Sequence, residues 1–191
     1  MQRSCIATDE RGGTLTDGSE MTMTRQDTVT VAAIQVTPTF FDRQGAVDKV
    51  CRLTGEAAGE GAELVVFPEA YVGGYPWGLA FGTAVGGRSE AGRRVWQQYW
   101  DTAVDVPGPD TERLGKAAAD AGVYSVVGVV ERDSTYGGGT LYCTLLYFGP
   151  DGSLLGKHRK LKPTAAERLI WGEGDGSTLT TIDAPFGRVG G

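Results

Sequence analysis

Proton transfer and covalent catalysis need a carboxylate or imidazole to carry protons, a cation to hold developing negative charge, and a nucleophile where the intermediate is covalent. Two segments of this chain offer such groups outright, and a third is a weaker candidate. Glu69 directly follows the apolar run Glu63-Leu-Val-Val-Phe67 and Pro68. That is the carboxyl end of an expected strand, where open α/β sheets collect their ligands. Taken alone, a glutamate after a strand is more often a solvated loop residue. Its neighbours Phe67, Pro68, Tyr71 and Tyr75 would desolvate it, raising its pKa toward that of a base useful near neutral pH. The second segment, Gly156-Lys-His-Arg-Lys-Leu-Lys-Pro-Thr164, gathers four cations and the only histidine around an expected strand end. Charge alone makes it a solvated basic patch, yet a lysine there could stabilise negative charge on a substrate nitrogen or oxygen. The third, Glu167-Arg-Leu-Ile-Trp171-Gly-Glu-Gly-Asp-Gly-Ser177, is turn-rich and by itself reads as a surface loop.

Other chemistries find little support. One histidine, His158, without Gly-x-Ser-x-Gly or a second imidazole, makes neither a serine triad nor a metal site. The Gly-Gly runs near Gly73, Gly86 and Gly137 miss the phosphate-binding patterns, so no nucleotide, metal or other cofactor is expected. Cys5, Cys51 and Cys143 are far apart, odd in number and without Cys-x-x-Cys spacing, which argues against a disulfide framework or a zinc cluster and for a reducing cytoplasm. Cys143 alternates with Tyr142 and Thr144 inside an expected strand, as a packed structural thiol does. Cys51 falls on an expected helix and Cys5 in a polar leader, so neither is a convincing nucleophile.

The elements that must position these groups follow from apolar spacing. Residues 1–28 are polar and rich in Thr, Gly and Asp, which predicts a disordered leader, with Met21 and Met23 as alternative starts to Met1. From Val29 a β-branched run predicts a first strand ending at Thr37-Pro38. Val47, Val50, Leu53, Ala57 and Ala58 give helical spacing over about 44–59, and 63–67 reads as a strand covered on both faces. The Gly and aromatic-rich stretch 71–82 is irregular but too apolar for a linker, so it should line something. Helices are expected around 90–100 and 111–121, the latter capped by Asp110 or Thr111. Strands are expected at 123–130 and 141–148, the latter turning through Pro150-Asp-Gly152 into Leu154-Leu155, and then at 178–182 and from Phe186 onward. Alternation of strand and helix predicts an α/β sheet in one domain, 29–191.

Composition agrees: 40% hydrophobic and 22% charged residues, with 30 glycines, describe a globular chain rich in tight turns. A net charge of -6 offers no field to attract phosphate backbones or anionic lipid, and no apolar run is long enough to span a bilayer. Neither nucleic acid nor membrane is therefore expected as a partner; a small molecule is.

In their order, the segments resemble the nitrilase branch of the carbon-nitrogen hydrolase superfamily from about Val29 to Gly191. Val31-Ala-Ala-Ile-Gln-Val36 is similar to the first strand of that family, and Val66-Phe-Pro-Glu-Ala70 to the segment bearing its glutamate base, which maps onto Glu69. His158-Arg-Lys-Leu-Lys-Pro-Thr164 resembles the lysine motif, in which the residue after the arginine is catalytic, here Lys160 rather than Lys162. Glu167 matches a second structural or catalytic glutamate. Gly74-Tyr-Pro-Trp-Gly78 and Trp171-Gly-Glu-Gly-Asp-Gly-Ser177 look more like nitrilases than aliphatic amidases or carbamoylases.

The resemblance implies a four-layer α-β-β-α sandwich, incomplete at its C-terminus, that assembles into homo-oligomers. It also implies a nitrile or amide substrate attacked by a cysteine thiolate, giving a thioimidate and then a thioester. In the family, that cysteine lies within a few residues of Gly-Arg-Val-Gly. The sequence here ends at Gly191, so the expectation is that the chain lacks its nucleophile and is inactive alone. Amide hydrolysis, or service as a non-catalytic truncated partner of a full-length relative, are the alternatives.

Overall fold

A computed structural model of the chain describes the backbone of residues 5–8 together with residues 28–135 and 138–191. Strands β1 (Cys5–Thr8), β2 (Thr30–Ala33) and β3 (Leu64–Val66) are followed by the short β4 (Thr83–Ala84), β5 (Gly87–Arg88) and β6 (Val104–Asp105). The long β7 (Tyr124–Arg132), β8 (Leu141–Phe148) and β9 (Leu154–Arg159) come next, then β10 (Thr181–Ala184) and β11 (Gly187–Gly190). Helices α1 (Arg43–Gly59), α2 (Glu90–Thr102) and α3 (Pro109–Ala121) and a 3-10 turn at Ala165–Leu169 complete the elements.

Among the described residues one sheet of seven strands runs β1-β2-β3-β7-β8-β9, with β6 beside the far half of β7. Pairing is parallel from β2 through β3 to β7, as a strand-helix-strand crossover requires, and antiparallel from β7 through β8 to β9, as short hairpins require. The two faces of the sheet separate cleanly. Val65, Val127, Val129, Leu146 and Phe148 meet Ala46, Val47 and Val50 of α1 and Leu114 and Ala118 of α3. Leu64, Val126 and Tyr147 face the other way, against Ile182 of β10, with Val189 of β11 and Phe186 alongside. Further along that second face, Val130, Leu141 and Cys143 pack with Tyr99 and Ala103 at the end of α2, with Phe81 and with Trp171. The expected α/β architecture is thus present as a helical layer, a sheet, and the β10-β11 hairpin with the aromatic loop and α2 over the far face.

Several boundaries moved, each for a local reason. The ladder of β2 closes at Ala33, four residues before the Thr37-Pro38 stop, although the Ile34 N–H still reaches the Val66 carbonyl at 2.9 Å. Helix α3 is capped by Gly108, not by Asp110 or Thr111: Pro109 fits the first helical position because its missing N–H has no partner to lose there. Thr111 serves the cap from inside, its hydroxyl accepting from the Gly108 N–H at 2.9 Å and donating to the Gly108 carbonyl at 2.8 Å. The two terminal strands pair with each other as an antiparallel hairpin. Residues 1–4 and 9–27 of the expected leader lie outside the described residues. Cys5–Thr8 instead forms a strand antiparallel to β2, whose outer edge is a ready template for a β-prone run such as Cys-Ile-Ala-Thr.

Leu146 has no exposed surface and sits between the helices and the sheet. Leu146→Ala should lower the unfolding free energy by about 2–5 kcal/mol, read as a fall in urea midpoint with an unchanged denaturant slope.

Candidate active site

Glu69 leaves the end of β3 on the far face of the sheet. The strand continues briefly, with the Phe67 N–H on the Val126 carbonyl at 2.8 Å, and the chain then crosses directly over Gly128 of β7. A Cβ at Gly128 would lie 2.1 Å from the Pro68 carbonyl oxygen and 2.9 Å from the Glu69 Cα, so only glycine lets this crossing lie flat on the sheet. Ala70 follows with φ 49°, a left-handed backbone that alanine adopts only at a cost, and is fully buried. The next residue pair re-enters the sheet through the Val72 N–H to the Gly128 carbonyl at 3.1 Å.

Lys160 follows β9. Its N–H donates to the Cys143 carbonyl at 2.8 Å and its own carbonyl accepts from the Gly174 N–H at 2.9 Å, which anchors its backbone on both sides. Glu167 lies in the 3-10 turn, 8% exposed, and its carboxylate folds back to accept the Thr164 N–H at 2.6 Å as a capping box. Three segments far apart in sequence therefore converge. Lys160 Nζ donates to Glu69 Oε1 at 2.8 Å and to Glu167 Oε2 at 2.8 Å, one ammonium bridging two carboxylates.

Electrostatics at the bridge is asymmetric. Burial opposes the Lys160 charge, but the hydrogen bonds to Glu167 and Glu69 outweigh it and hold its pKa above the ordinary lysine value. Burial likewise raises the Glu167 pKa, and the bonds from Lys160, Tyr75 and Thr164 more than reverse this, keeping the carboxyl ionised. Glu69 is less enclosed than its aromatic neighbours suggested: 45% of its side chain remains exposed. Phe67 and Tyr71 turn into the core on the helical face instead, so they do not desolvate it.

Two side chains take part in ways the sequence does not show. Tyr75 donates its hydroxyl to Glu167 Oε1 at 2.7 Å and stands edge-on to Trp171, 5.6 Å between ring centroids. Its signal in the sequence is the aromatic loop 71–82, of which Tyr75, Trp77, Leu79 and Phe81 line a separate cavity with Glu167 and Ile170. Cys143 is a buried thiol, as its place in β8 indicated, but it points into the site, its Sγ 3.5 Å from Glu69 Oε1. Burial first, and the Glu69 charge second, push its pKa up, which favours the thiol form that donates to Glu69. His158 binds the Thr178 carbonyl through Nδ1 at 2.9 Å, and Lys162 pairs with Glu173 away from the bridge. Among the described residues no cluster of side chains suits a metal. A cavity of about 210 Å³ opens beside the bridge, lined by Glu69, Cys143, Leu145, His158, Lys160 and the backbone of Gly191.

Residues 30–191 match the carbon-nitrogen hydrolase family. The bifunctional nitrilase/nitrile hydratase NIT4A of Lupinus angustifolius is 50% identical over 163 residues, 85% of this chain and 46% of that protein. The aliphatic nitrilase of Sinorhizobium fredii is 52% identical over 159 residues, 83% of this chain and 50% of that protein. The chain spans about half the length of these curated relatives. Among solved structures, Nit3 of Saccharomyces cerevisiae, a member of branch 10 of the nitrilase superfamily, superposes with a TM-score of 0.61 at 22% identity, over 84% of this chain and 53% of that one. An amidase from Nesterenkonia sp. gives a TM-score of 0.56 at 18% identity, over 83% and 52%, and so shares the fold. The chain belongs to the carbon-nitrogen hydrolase family and groups with its nitrilase branch.

The depressed Glu167 pKa has a definite sign in stability. Its contribution is in place above the unfolded glutamate value of about 4.3 and is lost as pH falls through the lower folded value. Glu167→Gln should therefore unfold at lower urea than the parent chain at pH 7, with the gap narrowing as pH falls below the unfolded glutamate value; a gap that stays constant with falling pH would contradict the ion-paired assignment.

Proposed function

We propose that this chain supplies the carboxylate and lysine machinery of a nitrile-hydrolysing enzyme, and that Glu69, Lys160 and Glu167 are its working residues. The observation that carries the reading is the single ammonium held at 2.8 Å from both carboxylates, beside a cavity lined by Glu69, Lys160 and Gly191. Residues that follow Gly191 in the family pattern would enter beside those two side chains, which is where a cysteine thiol is needed.

In that arrangement Glu69 takes the thiol proton, and the thiolate adds to the nitrile carbon to form a thioimidate, its nitrogen gaining the proton. Lys160 holds the negative charge that develops on nitrogen. Water, deprotonated by Glu69, adds to the same carbon; ammonia departs and leaves a thioester. A second water releases the carboxylic acid and restores the thiol. Glu167, fixed by Thr164, Tyr75 and Lys160, keeps the ammonium aimed at the reacting nitrogen.

Nitriles are favoured over amides by the relatives, about 50% identical, whose names carry nitrilase activity. We extend the proposal to self-association, which the family resemblance implies, and to a reducing compartment, supported by free thiols at Cys51 and Cys143.

The test uses an enzyme that carries this sequence together with the family's remaining length. Glu69→Gln and Lys160→Met should each lower the rate of ammonia release from nitriles by at least about 100-fold. Parent-like turnover in either variant would remove the assignment; ammonia from amides but not nitriles would move it to amide hydrolysis.

A further inference from the structure

Glu131 is the most deeply buried carboxylate among the described residues, 1% exposed, and the chemistry above does not use it. It projects from β7 on the side opposite Cys143, by strand alternation, and its carboxylate ties three strands together. Thr144 Oγ1 of β8 donates to it at 2.8 Å and Lys157 Nζ of β9 at 2.5 Å. Arg159 of β9 grips it with both arms of the fork, Nε to Oε2 at 3.0 Å and Nη2 to Oε1 at 2.6 Å, while its guanidinium lies 3.9 Å over the Tyr142 ring. The following residue is Lys160, which turns to the other face.

Alternation makes the two placements one decision. A slip of β9 by a single residue would exchange Arg159 and Lys160 between the faces. Charge does not choose between the registers, because each face offers a carboxylate and each position a cation. Hydrophobic patterning is also weak, since β9 begins with two adjacent leucines, Leu154 and Leu155, of which only the first packs on the core. Nor does the turn decide it: the β8-β9 pairing shifts register between Tyr147 and Phe148. What distinguishes the cations is shape. A guanidinium matches a carboxylate with two parallel bonds and stacks on an aromatic ring, whereas an ammonium does so only as a point charge.

We infer that Glu131 is a positioning residue for the site: by selecting the Arg159 fork on the helical face, it fixes the register of β9 and so delivers Lys160 to Glu69 and Glu167. A buried ion cluster of this kind contributes specificity more than stability. The inference takes its functional weight from the reading of Lys160 as the working lysine, but its test measures where Lys160 sits and not turnover, so either can fail alone.

The test compares the parent chain with Glu131→Gln and Arg159→Lys, the latter keeping charge and length. Lysine ¹³Cε NMR with a Lys160→Arg spectrum for assignment reads the titration of Lys160, and a crystal structure of each variant reads its contact with Glu69. In the parent, Lys160 should stay protonated well above the free-lysine midpoint of about 10.4. In both variants the midpoint should fall by at least about one unit, a tenfold change in proton affinity, and the Lys160 to Glu69 contact should open while urea unfolding stays cooperative. Where Glu131→Gln does not fold, Arg159→Lys decides: a folded Arg159→Lys chain with parent-like Lys160 titration and contact shows that charge suffices and overturns the lock.

Discussion

Two carboxylates and one ammonium in contact form the constraint around which this half-enclosed site is arranged. Glu69 and Glu167 arrive from segments 98 residues apart and would repel each other without a cation between them. Lys160 resolves this only if it reaches both, and the chain commits three backbone devices to that end: the flat crossing over Gly128, the double anchoring of the Lys160 peptide, and the 3-10 turn that folds Glu167 back on Thr164. None of these is a strong stabiliser, and the left-handed Ala70 is a local strain. Their joint effect is to fix geometry, with the apolar layers of α1, α3 and the sheet supplying the stability that tolerates it.

The sheet does the sorting. Because side chains alternate, β7, β8 and β9 each serve two environments, and β9 with the residue after it carries the contrast furthest: Lys157 and Arg159 belong to the Glu131 cluster, His158 and Lys160 to the cavity side. Two charge clusters of similar composition thus sit back to back through one sheet. Their difference lies in closure. The Glu131 carboxylate is 1% exposed and accepts four hydrogen bonds, while Glu69 on the other face remains partly open to solvent. A structural role and a chemical role are in this way separated by a single layer of backbone.

Much of this was legible in the residues. The strand-helix-strand order, the positions of α1 and α3 and the hairpin of β8 and β9 follow from apolar spacing and turn residues, and motif resemblance singles out Glu69, Lys160 and Glu167, which the fold brings into contact. What escaped were tertiary facts without a local signature. Nothing in Tyr142-Cys143-Thr144 tells which of the two faces of β8 receives the site, so Cys143 read as packing alone, which its burial bears out, while its approach to Glu69 did not show. Glu131 falls one residue beyond the expected strand 123–130 and carries no local signature; the pairing of β7 with β8, and of β8 with β9, encloses it. Desolvation of Glu69 was expected from aromatic neighbours in sequence, but Phe67 and Tyr71 pack on the core of the opposite face.

The unequal surroundings of the two glutamates bear on which of them moves protons. Glu167 is buried and accepts from Tyr75, Lys160 and the Thr164 backbone, so its charge is held by three donors whose bonds would weaken if it took up a proton. Glu69 accepts from Lys160 at one oxygen and from the weak Cys143 thiol at the same atom, and nearly half of its side chain faces solvent. Its second oxygen carries no bond of this network. A group that must accept a proton from a nucleophile or a water and later return it needs such a free lone pair and little reorganisation, whereas a group that must keep an ammonium aimed needs the opposite. On the proposed reading the more exposed carboxylate suits the base and the more buried one the anchor, a division set by the number of donors around each and not by residue type.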